Sequence, residues 1–487
     1  MAHTASVIAR MTAAELVGHY ADGSLSPVEV LAGVSAVIDE REPVLNALWH
    51  RTPESALEQA QASERRWREG SQRGPIDGVP VTLKENVARR GVPMPSGHDG
   101  LDPVVPERNS PIADRVDESG GVVVGSTVMP DWGMLSSGVS SRHGITRSPW
   151  NPLWTTGGSS SGAGAACAAG YAPLNVGTDI GGSIRLPGTW LGLATLKPSA
   201  GRVPLDAPYL GRAAGPMARS VDDAASFLSV LARPDARDWT ALPPEELPLS
   251  DLSGDVAGLR VGLHLDAGCG SPVEPEVAEA VAAVADLFAD AGASVEEVPP
   301  FMTEEMLADL DLFWRVRSWN DFVALPVEGQ SRVLPFIQRW VQGGKDATGS
   351  RVLACYQHIL DLQRATVAAT GTFDVVLSPV APGVAFPAHW PMPFGDEDLG
   401  MAHIGFTVPY NMSGQPAGTV NCGFTPEGKP VGVQLAGRRF DDVGVLRAMR
   451  WYELARPSAA VPDWPIAAAA DGSGSASAAE GGAGGNG

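Results

Sequence analysis

Short apolar runs bounded by turn residues constrain the fold of this chain most strongly. "GVPVTLKENV" and "GGVVVGSTVMP" in the first half, and "LRVGLHLD", "FDVVLSPVAP" and "PVGVQLAG" in the second, have the length and composition of buried strands. Segments with helical signals alternate with these runs. The alternation predicts an α/β fold in which helices cover a sheet.

Two segments near the N-terminus carry helix-start signals. "SPVEVLAGVSAVIDE" opens with Ser26, Pro27 and Glu29, which form a capping box with proline at the first helical position. "TPESALEQAQASERRWREG" repeats this pattern from Thr52. We therefore expect capped helices before the first strand.

The composition along the chain predicts a single α/β unit, residues 1–457, followed by a disordered tail, residues 458–487. The tail is rich in glycine, alanine and serine and cannot bury apolar surface. Within the unit the expected parts are N-terminal helices at 1–72, a motif-bearing core at about 73–232, a proline-rich acidic linker at 233–258 and a C-terminal part at 259–457.

Charge and cysteine content exclude several classes of protein. The net charge of -21 over 487 residues repels a phosphate backbone, so no nucleic-acid partner is expected. No signal peptide is evident, and no apolar run approaches the ~18 residues that span a bilayer. The four scattered cysteines suit neither a disulfide framework nor a zinc site. We expect a cytoplasmic protein without a metal or a membrane association.

A glycine- and serine-rich segment, "TTGGSSSGAGAACAAG", allows several interpretations. A phosphate-binding P-loop is disfavoured because no Gly-Lys-Ser/Thr follows the glycines. Residues 158–162 match the G-x-S-x-G pattern of a nucleophile elbow, which would make Ser160 the nucleophile and would require an acid and either His389 or His403. This alternative stays open, although it leaves the nearby "DIGGS" unexplained.

Lys84 ends an apolar run, "DGVPVTLK", and we expect it to be buried. A buried ammonium loses its solvation, so its pKa falls. Lowering the pKa from ~10.4 to ~7 is a change of roughly 3 pKa units, which corresponds to about 4 kcal/mol of desolvation. A neutral lysine can accept a proton from a serine. A structural ion pair with Glu85 or another acid is the alternative at this position.

The turn "DIGGS" follows a strand-like run and places successive backbone N–H groups together. The amides of Ile180, Gly181, Gly182 and Ser183 can point at one spot, and the glycines permit close approach. Such a turn forms a cavity for the oxyanion that develops when a carbonyl is attacked. The turn therefore predicts an oxyanion hole beside a serine.

Several of these segments resemble the amidase signature family. The matching motifs are "GVPVTLKENV", "TRSPWNPLWTTGGSSSGAGAACAAG", "NVGTDIGGSIRLPG" and "LATLKPSAGRVP", and the resemblance extends over about residues 10–455. It implies a mixed sheet of about eleven strands with helices on both sides. The chain departs from the family pattern at Glu85, where aspartate is commoner, and in having GGSSSG for GGSSGG.

The resemblance also implies a Ser–cis-Ser–Lys triad. Ser183 corresponds to the acyl-forming nucleophile, Ser159 to the bridging serine after a cis peptide bond, and Lys84 to the base. Asp179 and Arg185 flank the oxyanion turn and are expected to support it. No metal or cofactor is implied.

The implied activity is hydrolysis of a C–N amide bond through a serine acyl-enzyme. The expected substrates are small apolar or aryl amides, with carbamates (urethanes) as an extension, and the alternative role is a subunit of a glutamine-dependent amidotransferase. A homodimer is left open. The expected substrate walls are "PDWGMLSSGVSSRHG", the helices after Glu304 that carry Trp314, Trp319 and Trp340, and the segment with Trp390, Met392 and Phe394.

Overall fold

The structure is a computed structural model that describes residues 4–466. The helices of this part of the chain are α1 (Ala5–Arg10), α2 (Ala13–Asp22), α3 (Pro27–Leu45), α4 (Pro53–Glu69), α5 (Pro111–Glu118), α6 (Ser161–Ala168), α7 (Arg185–Leu191), α8 (Val221–Leu231), α9 (Pro275–Asp290), α10 (Glu304–Val323), α11 (Val327–Gln330), α12 (Pro335–Gln342), α13 (Gly349–Thr370), α14 (Val408–Met412) and α15 (Asp442–Ala455). The strands are β1 (Leu48–His50), β2 (Pro80–Lys84), β3 (Val122–Thr127), β4 (Val139–Ser140), β5 (Gly144–Ile145), β6 (Leu174–Asp179), β7 (Ala194–Lys197), β8 (Ala213–Ala218), β9 (Arg260–Leu263), β10 (Ser294–Glu297), β11 (Val375–Pro379), β12 (Ala417–Phe424) and β13 (Pro430–Gly437). Short 3-10 helices are formed at Asp131–Gly133, Glu397–Leu399 and Ser458–Ala460.

One mixed sheet of eleven strands organises the fold, in the order β1-β3-β2-β6-β8-β7-β12-β13-β11-β9-β10. Strand β2 runs parallel to both β3 and β6, and β9 runs parallel to β10 and β11. The central strands from β6 through β8, β7, β12 and β13 to β11 pair antiparallel. The predicted α/β class and mixed sheet are confirmed, and the five apolar runs form β2, β3, β9, β11 and β13.

A continuous apolar core joins distant parts of the chain. One buried cluster contains residues from Ile8 in α1 to Ile466, the last described position. The segment predicted as a linker, 233–258, has no regular helix or strand, but Leu249 and Leu252 are buried in this cluster. The proline- and acid-rich connection therefore packs on the core through its few leucines.

The ordered chain extends beyond the boundary predicted for the tail. Ile466 is buried, its carbonyl accepts a hydrogen bond from Arg10 at 3.0 Å, and Arg41 donates to the carbonyl of Pro465 at 2.6 Å. Trp464 also packs against the core. Residues 458–466 therefore differ from the predicted disorder, because Trp464 and Ile466 supply apolar contacts. The rest of the predicted tail, 467–487, lies outside the described residues.

The two predicted helix starts differ in their capping. Ser26 accepts from the Glu29 amide at 3.2 Å, and the Glu29 carboxylate accepts from the Ser26 amide at 2.8 Å, which confirms the capping box. Thr52 is the N-cap residue of α4 and Pro53 is its first helical residue, which confirms the predicted helix start, but the Thr52 hydroxyl makes no cap hydrogen bond, so the predicted capping is wrong. The Thr52 hydroxyl instead accepts from Arg89 at 3.4 Å.

Two predicted absences concern membranes and metals. Between residues 4 and 466, no helix has the length and apolarity needed to cross a membrane. Over the same residues, no group of three or more histidine, cysteine or acidic side chains is arranged to hold a metal ion. All four cysteines are free thiols.

The capping difference predicts unequal effects of two similar substitutions. Ser26→Ala removes a cap acceptor and should lower the free energy of unfolding by about 1 kcal/mol. Thr52→Ala removes no cap hydrogen bond and should have a clearly smaller effect. Urea unfolding followed by circular dichroism measures both, and equal losses would contradict the capping assignment.

Candidate active site

Two parallel neighbouring strands bring the candidate residues together. Strand β2 ends at Lys84 and strand β6 ends at Asp179, and their register pairs Leu83 with Val176. Both strands therefore end at the same edge of the sheet, where the glycine turn continues from β6. Helix α6 begins at Ser161, so the preceding serines reach the same edge.

Lys84 is completely buried and is surrounded by hydroxyl groups. Its Nζ lies 2.9 Å from Ser159 Oγ, 3.1 Å from Ser160 Oγ and 3.1 Å from Thr178 Oγ1. Glu85 is engaged elsewhere, since its carboxylate lies 3.0 Å from His143 Nε2. Within residues 4–466 Lys84 makes no ion pair, so the alternative of a structural Lys84–Glu85 pair is wrong.

Burial lowers the pKa of Lys84. Desolvation is the largest cause, the Arg212 guanidinium adds to it, and Asp179 and Glu85 act in the opposite direction, leaving the pKa at about 7. A neutral amine has two donors and one free lone pair, so it can accept a proton from one of the three hydroxyls. Lys84 is therefore poised to act as a base near neutral pH.

Ser159 and Ser183 face the same cavity from different segments. The Gly158–Ser159 peptide bond is cis, and the Ser160 amide donates to the Ser183 carbonyl at 3.1 Å. Ser183 is partly exposed, and among the described residues its hydroxyl makes no hydrogen bond. The Lys84–Ser159 contact is thus formed, whereas a Ser159–Ser183 hydrogen bond is not. Such contacts often tighten only when substrate binds.

The glycine turn differs in one donor from the predicted oxyanion hole. The Gly182 amide donates to Asp179 Oδ1 at 2.8 Å, so it is not directed at a substrate. In the described part of the chain, the amides of Ile180, Gly181 and Ser183 donate to no protein group. The oxyanion site therefore has three candidate donors rather than four.

Each of the two glycines in this turn is favoured over other residues for a different steric reason. Gly182 has a φ of 120°, and a Cβ there would lie 2.8 Å from Thr407 Oγ1. A Cβ on Gly181 would lie 3.1 Å from the Trp314 ring. Gly182 thus allows the backbone conformation, and Gly181 keeps space open beside Trp314.

Asp179 and Arg185 form a fully buried ion pair at 2.9 Å that supports the turn. Arg185 also donates to the Thr407 carbonyl at 2.9 Å, to Gln434 Oε1 at 2.7 Å and to Asn411 Oδ1 at 2.6 Å. Burial alone would raise the pKa of Asp179, but Arg185 and the surrounding donors outweigh it and hold the pKa far below its ordinary range. The pair fastens the turn to β13 and α14.

Ser183 stands between two compartments of different character. The apolar compartment is lined by Trp132, Met134, Leu135, Trp314, Met401 and Ile404. The polar compartment is lined by Asn86, Ser159, Thr178, Tyr209, Arg212 and Arg317. Ser183 and Ile180 line both compartments, as do Trp132 and Arg317. Ser183 is therefore bordered by two cavities whose lining side chains differ in polarity.

The predicted substrate walls are only partly those of the structure. Trp314 lines the apolar compartment, whereas Trp340 is buried behind it, with its indole N–H donating to Asp311 at 3.1 Å. Trp390 lines a different cavity. Trp319, Met392 and Phe394 line neither compartment and pack in the apolar cluster around Trp314.

The nucleophile-elbow alternative lacks its histidine. Ser160 is buried, and its hydroxyl contacts Lys84 and the backbone of Thr178. His403 Nε2 lies 2.6 Å from Ser136 Oγ instead, and the ring of His389 packs beside Trp390. Over the described residues neither histidine contacts Ser160, so the elbow interpretation is wrong.

Sequence reasoning missed several lining residues, including Thr178, Arg212 and Arg317. Thr178 immediately precedes Asp179 on β6, the strand that pairs with β2, which ends at Lys84. Arg212 and Arg317 reach the polar compartment from the β7–β8 loop and from α10. No local motif marks either arginine.

Comparison with known proteins agrees with this geometry. The family model described as Amidase matches residues 29–446. One of the subunits of glutamyl-tRNA(Gln) amidotransferase from Chloroflexus aurantiacus is 33% identical over 465 residues, covering 89% of this chain and 94% of that protein. An acylamidase of Rhodococcus erythropolis is 31% identical over 457 residues, covering 92% and 96%. The crystal structure of a bacterial aryl acylamidase of the amidase signature family superposes with a TM-score of 0.87 at 27% identity, covering 94% of this chain and 99% of that one.

These findings define a hydrolase that acts on carbon–nitrogen bonds. The chain belongs to the amidase signature family. The resemblance inferred from the sequence motifs is thereby confirmed.

The turn geometry predicts a specific effect of Gly182→Ala. A side chain at this left-handed position costs ~1–2 kcal/mol in backbone energy and also meets Thr407. The resulting shift of the adjacent amides should lower kcat by about 100-fold, the effect of losing an oxyanion donor. Gly91→Ala is the matched control, because Gly91 has a φ of 77° and open space around its Cβ position. Steady-state kinetics on an acyl anilide should separate the variants, and equal kcat values would contradict the assigned role of the turn.

Proposed function

We propose that this protein is an amidohydrolase that forms an acyl-enzyme on Ser183. The observation that carries the proposal is the fully buried Lys84, whose Nζ lies 2.9 Å from Ser159 Oγ, while Ser159 and Ser183 line one cavity. The candidate base thus contacts a hydroxyl that shares a cavity with the candidate nucleophile. The amides of the turn lie beside them as electrostatic stabilisers.

In the first half-reaction, neutral Lys84 accepts the proton of Ser159, and Ser159 takes the proton of Ser183. The Ser183 oxygen attacks the carbonyl carbon, and the carbonyl becomes an oxyanion held by the amides of Ile180, Gly181 and Ser183. When the tetrahedral intermediate collapses, the C–N bond breaks. Ser159 gives its proton to the leaving nitrogen and is reprotonated by Lys84, which becomes neutral again, and the acyl group stays on Ser183.

In the second half-reaction, water replaces the amine. Lys84 and Ser159 accept a proton from the water as it attacks the acyl ester. Collapse of this second intermediate releases the acid, and the proton returns to Ser183.

The substrate class follows from the apolar compartment. Trp132, Trp314 and Met401 offer aromatic and aliphatic surface but few hydrogen-bonding groups, which favours an apolar or aromatic substituent. The acylamidase relatives support small apolar or aryl amides. Carbamates are an extension, because the same acyl transfer operates on an O–C(=O)–N centre.

The relatives named as amidotransferase subunits suggest a second candidate function, the release of ammonia from glutamine within a complex. The apolar compartment argues against it. Arg317 is its only charged lining residue within the described chain, and no carboxylate is present there to receive the ammonium group of glutamine. The geometry therefore favours a small-amide hydrolase.

Labelling with a fluorophosphonate tests the nucleophile. A single adduct should map to Ser183 by intact mass and peptide mapping, because this residue is partly exposed and its hydroxyl makes no hydrogen bond within residues 4–466. Ser183→Ala should abolish both labelling and amide turnover while the circular dichroism spectrum stays unchanged. An adduct on Ser160, or retained turnover in Ser183→Ala, would overturn the proposal.

The environment of Lys84 predicts the pH dependence of activity. Protonated lysine cannot accept a proton, so kcat/KM should rise through a midpoint near the Lys84 pKa of about 7 and then level off. Arg212→Gln removes a cation that lowers this pKa, so the midpoint should move to higher pH. Arg68→Gln, which removes the same charge from an arginine 69% exposed on α4, should leave the midpoint in place. A midpoint unaffected by Arg212→Gln would contradict this account.

A further inference from the structure

The two compartments can be assigned to the two halves of the substrate. Ser159 lines the polar compartment and not the apolar one. In the proposed mechanism the leaving nitrogen takes its proton from Ser159, so the amine must depart on the Ser159 side. The acyl group, which remains on Ser183, then occupies the apolar compartment. This assignment rests on the proposed function.

Two guanidinium groups line the polar compartment, which is the space left for the amine, and one of them, that of Arg317, also borders the apolar compartment. Among the described residues, the Arg212 guanidinium makes one hydrogen bond, to the Ala207 carbonyl at 3.3 Å. The Arg317 guanidinium lies 4.9 Å from the centroid of the Tyr209 ring, and its nearest carboxylate is Asp321 at 4.0 Å. Both arginines retain donors without a protein acceptor, since each guanidinium carries five N–H groups.

The positive charge of the compartment is not balanced by the acids around it. Asp179 also lines the compartment, but it is paired with Arg185 at 2.9 Å. Asp321 is 49% exposed and lies at the limit of ion-pair distance from Arg317. Proximity of Arg317 adds to burial in lowering the pKa of Arg212, which shows that the two cations repel each other. In a chain of net charge -21, this excess of positive charge is local.

We propose that the amine half of the substrate carries a carboxylate, which Arg212 and Arg317 bind. A carboxylate satisfies the free donors of the two guanidinium groups and relieves their mutual repulsion. The two arginines come from the β7–β8 loop and from α10, so they reach the anion from separate elements. The preferred substrates are then apolar acyl amides of amino-carboxylates, such as N-acyl aminobenzoates.

Binding of the isolated amine product tests this inference without any turnover. Titration calorimetry compares 3- and 4-aminobenzoate with the uncharged 3- and 4-aminobenzamide. At least one aminobenzoate should bind about tenfold more tightly than the corresponding aminobenzamide, because one charged hydrogen bond contributes about this much. Arg212→Gln and Arg317→Gln should each remove most of this preference, and Arg317→Lys should restore part of it.

Arg68→Gln again serves as the control with the same change of net charge and should keep the preference. Equal affinity for carboxylate and amide, a preference that survives in both glutamine variants, or no detectable binding of either aminobenzoate at millimolar concentration would overturn the inference.

Turnover distinguishes failure of this inference from failure of the proposed function. For N-acyl derivatives of the same amines, the ratio of kcat/KM between carboxylate and carboxamide substrates should be about ten in the unaltered protein and should fall in Arg317→Gln. Turnover of the carboxamide with a ratio of one would overturn the carboxylate inference alone. Selective binding of an aminobenzoate without turnover of any acyl derivative would support the arginine site and overturn the proposed hydrolase function.

Discussion

The burial of one amino group underlies the proposed chemistry of this protein. Lys84 ends strand β2 with no exposed surface, and its hydrogen-bond partners are Ser159, Ser160 and Thr178. A carboxylate in contact with Nζ would stabilise the charged form and restore an ordinary lysine pKa. Hydroxyl groups satisfy the amine in either protonation state. The same burial that lowers the pKa to about 7 therefore leaves the lysine beside groups to which it can relay protons.

The buried Asp179–Arg185 pair is the second constraint, and its role is geometric. Burying two charges is costly unless their remaining donors and acceptors are satisfied, and here backbone and amide groups of the turn, α14 and β13 satisfy them. One of those groups is the Gly182 amide, which therefore holds the turn rather than the oxyanion. Gly182 supports the backbone conformation, while the amides of Ile180, Gly181 and Ser183 stay free for substrate. The ion pair thus engages the Gly182 amide in support of the turn and leaves the other three amides as candidate oxyanion donors.

Sequence reasoning reached the features that depend on local pattern or on short motifs. The apolar runs identified the strands, and burial of Lys84 followed from its place at the end of one of them. Features that depend on contacts between distant segments were not accessible. Thr52 has the sequence of a cap, but its hydroxyl contacts Arg89 instead. The predicted number of oxyanion donors was too high by one, because Asp179 accepts a hydrogen bond from the Gly182 amide only in the folded turn. Arg212 and Arg317 meet because a loop and a helix converge on one cavity, which no periodicity reveals.

The position of Arg212 connects substrate charge with the strength of the base. Its guanidinium lines the polar compartment and also helps to lower the pKa of Lys84. An anion bound to Arg212 would offset part of that positive charge, so the protonated form of Lys84 would become more favourable in the complex than in the free protein. A larger fraction of Lys84 would then be protonated near neutral pH, and only the neutral amine can accept the proton of Ser159. The charge of the substrate and the pH range in which the proposed base is active are therefore coupled through Arg212.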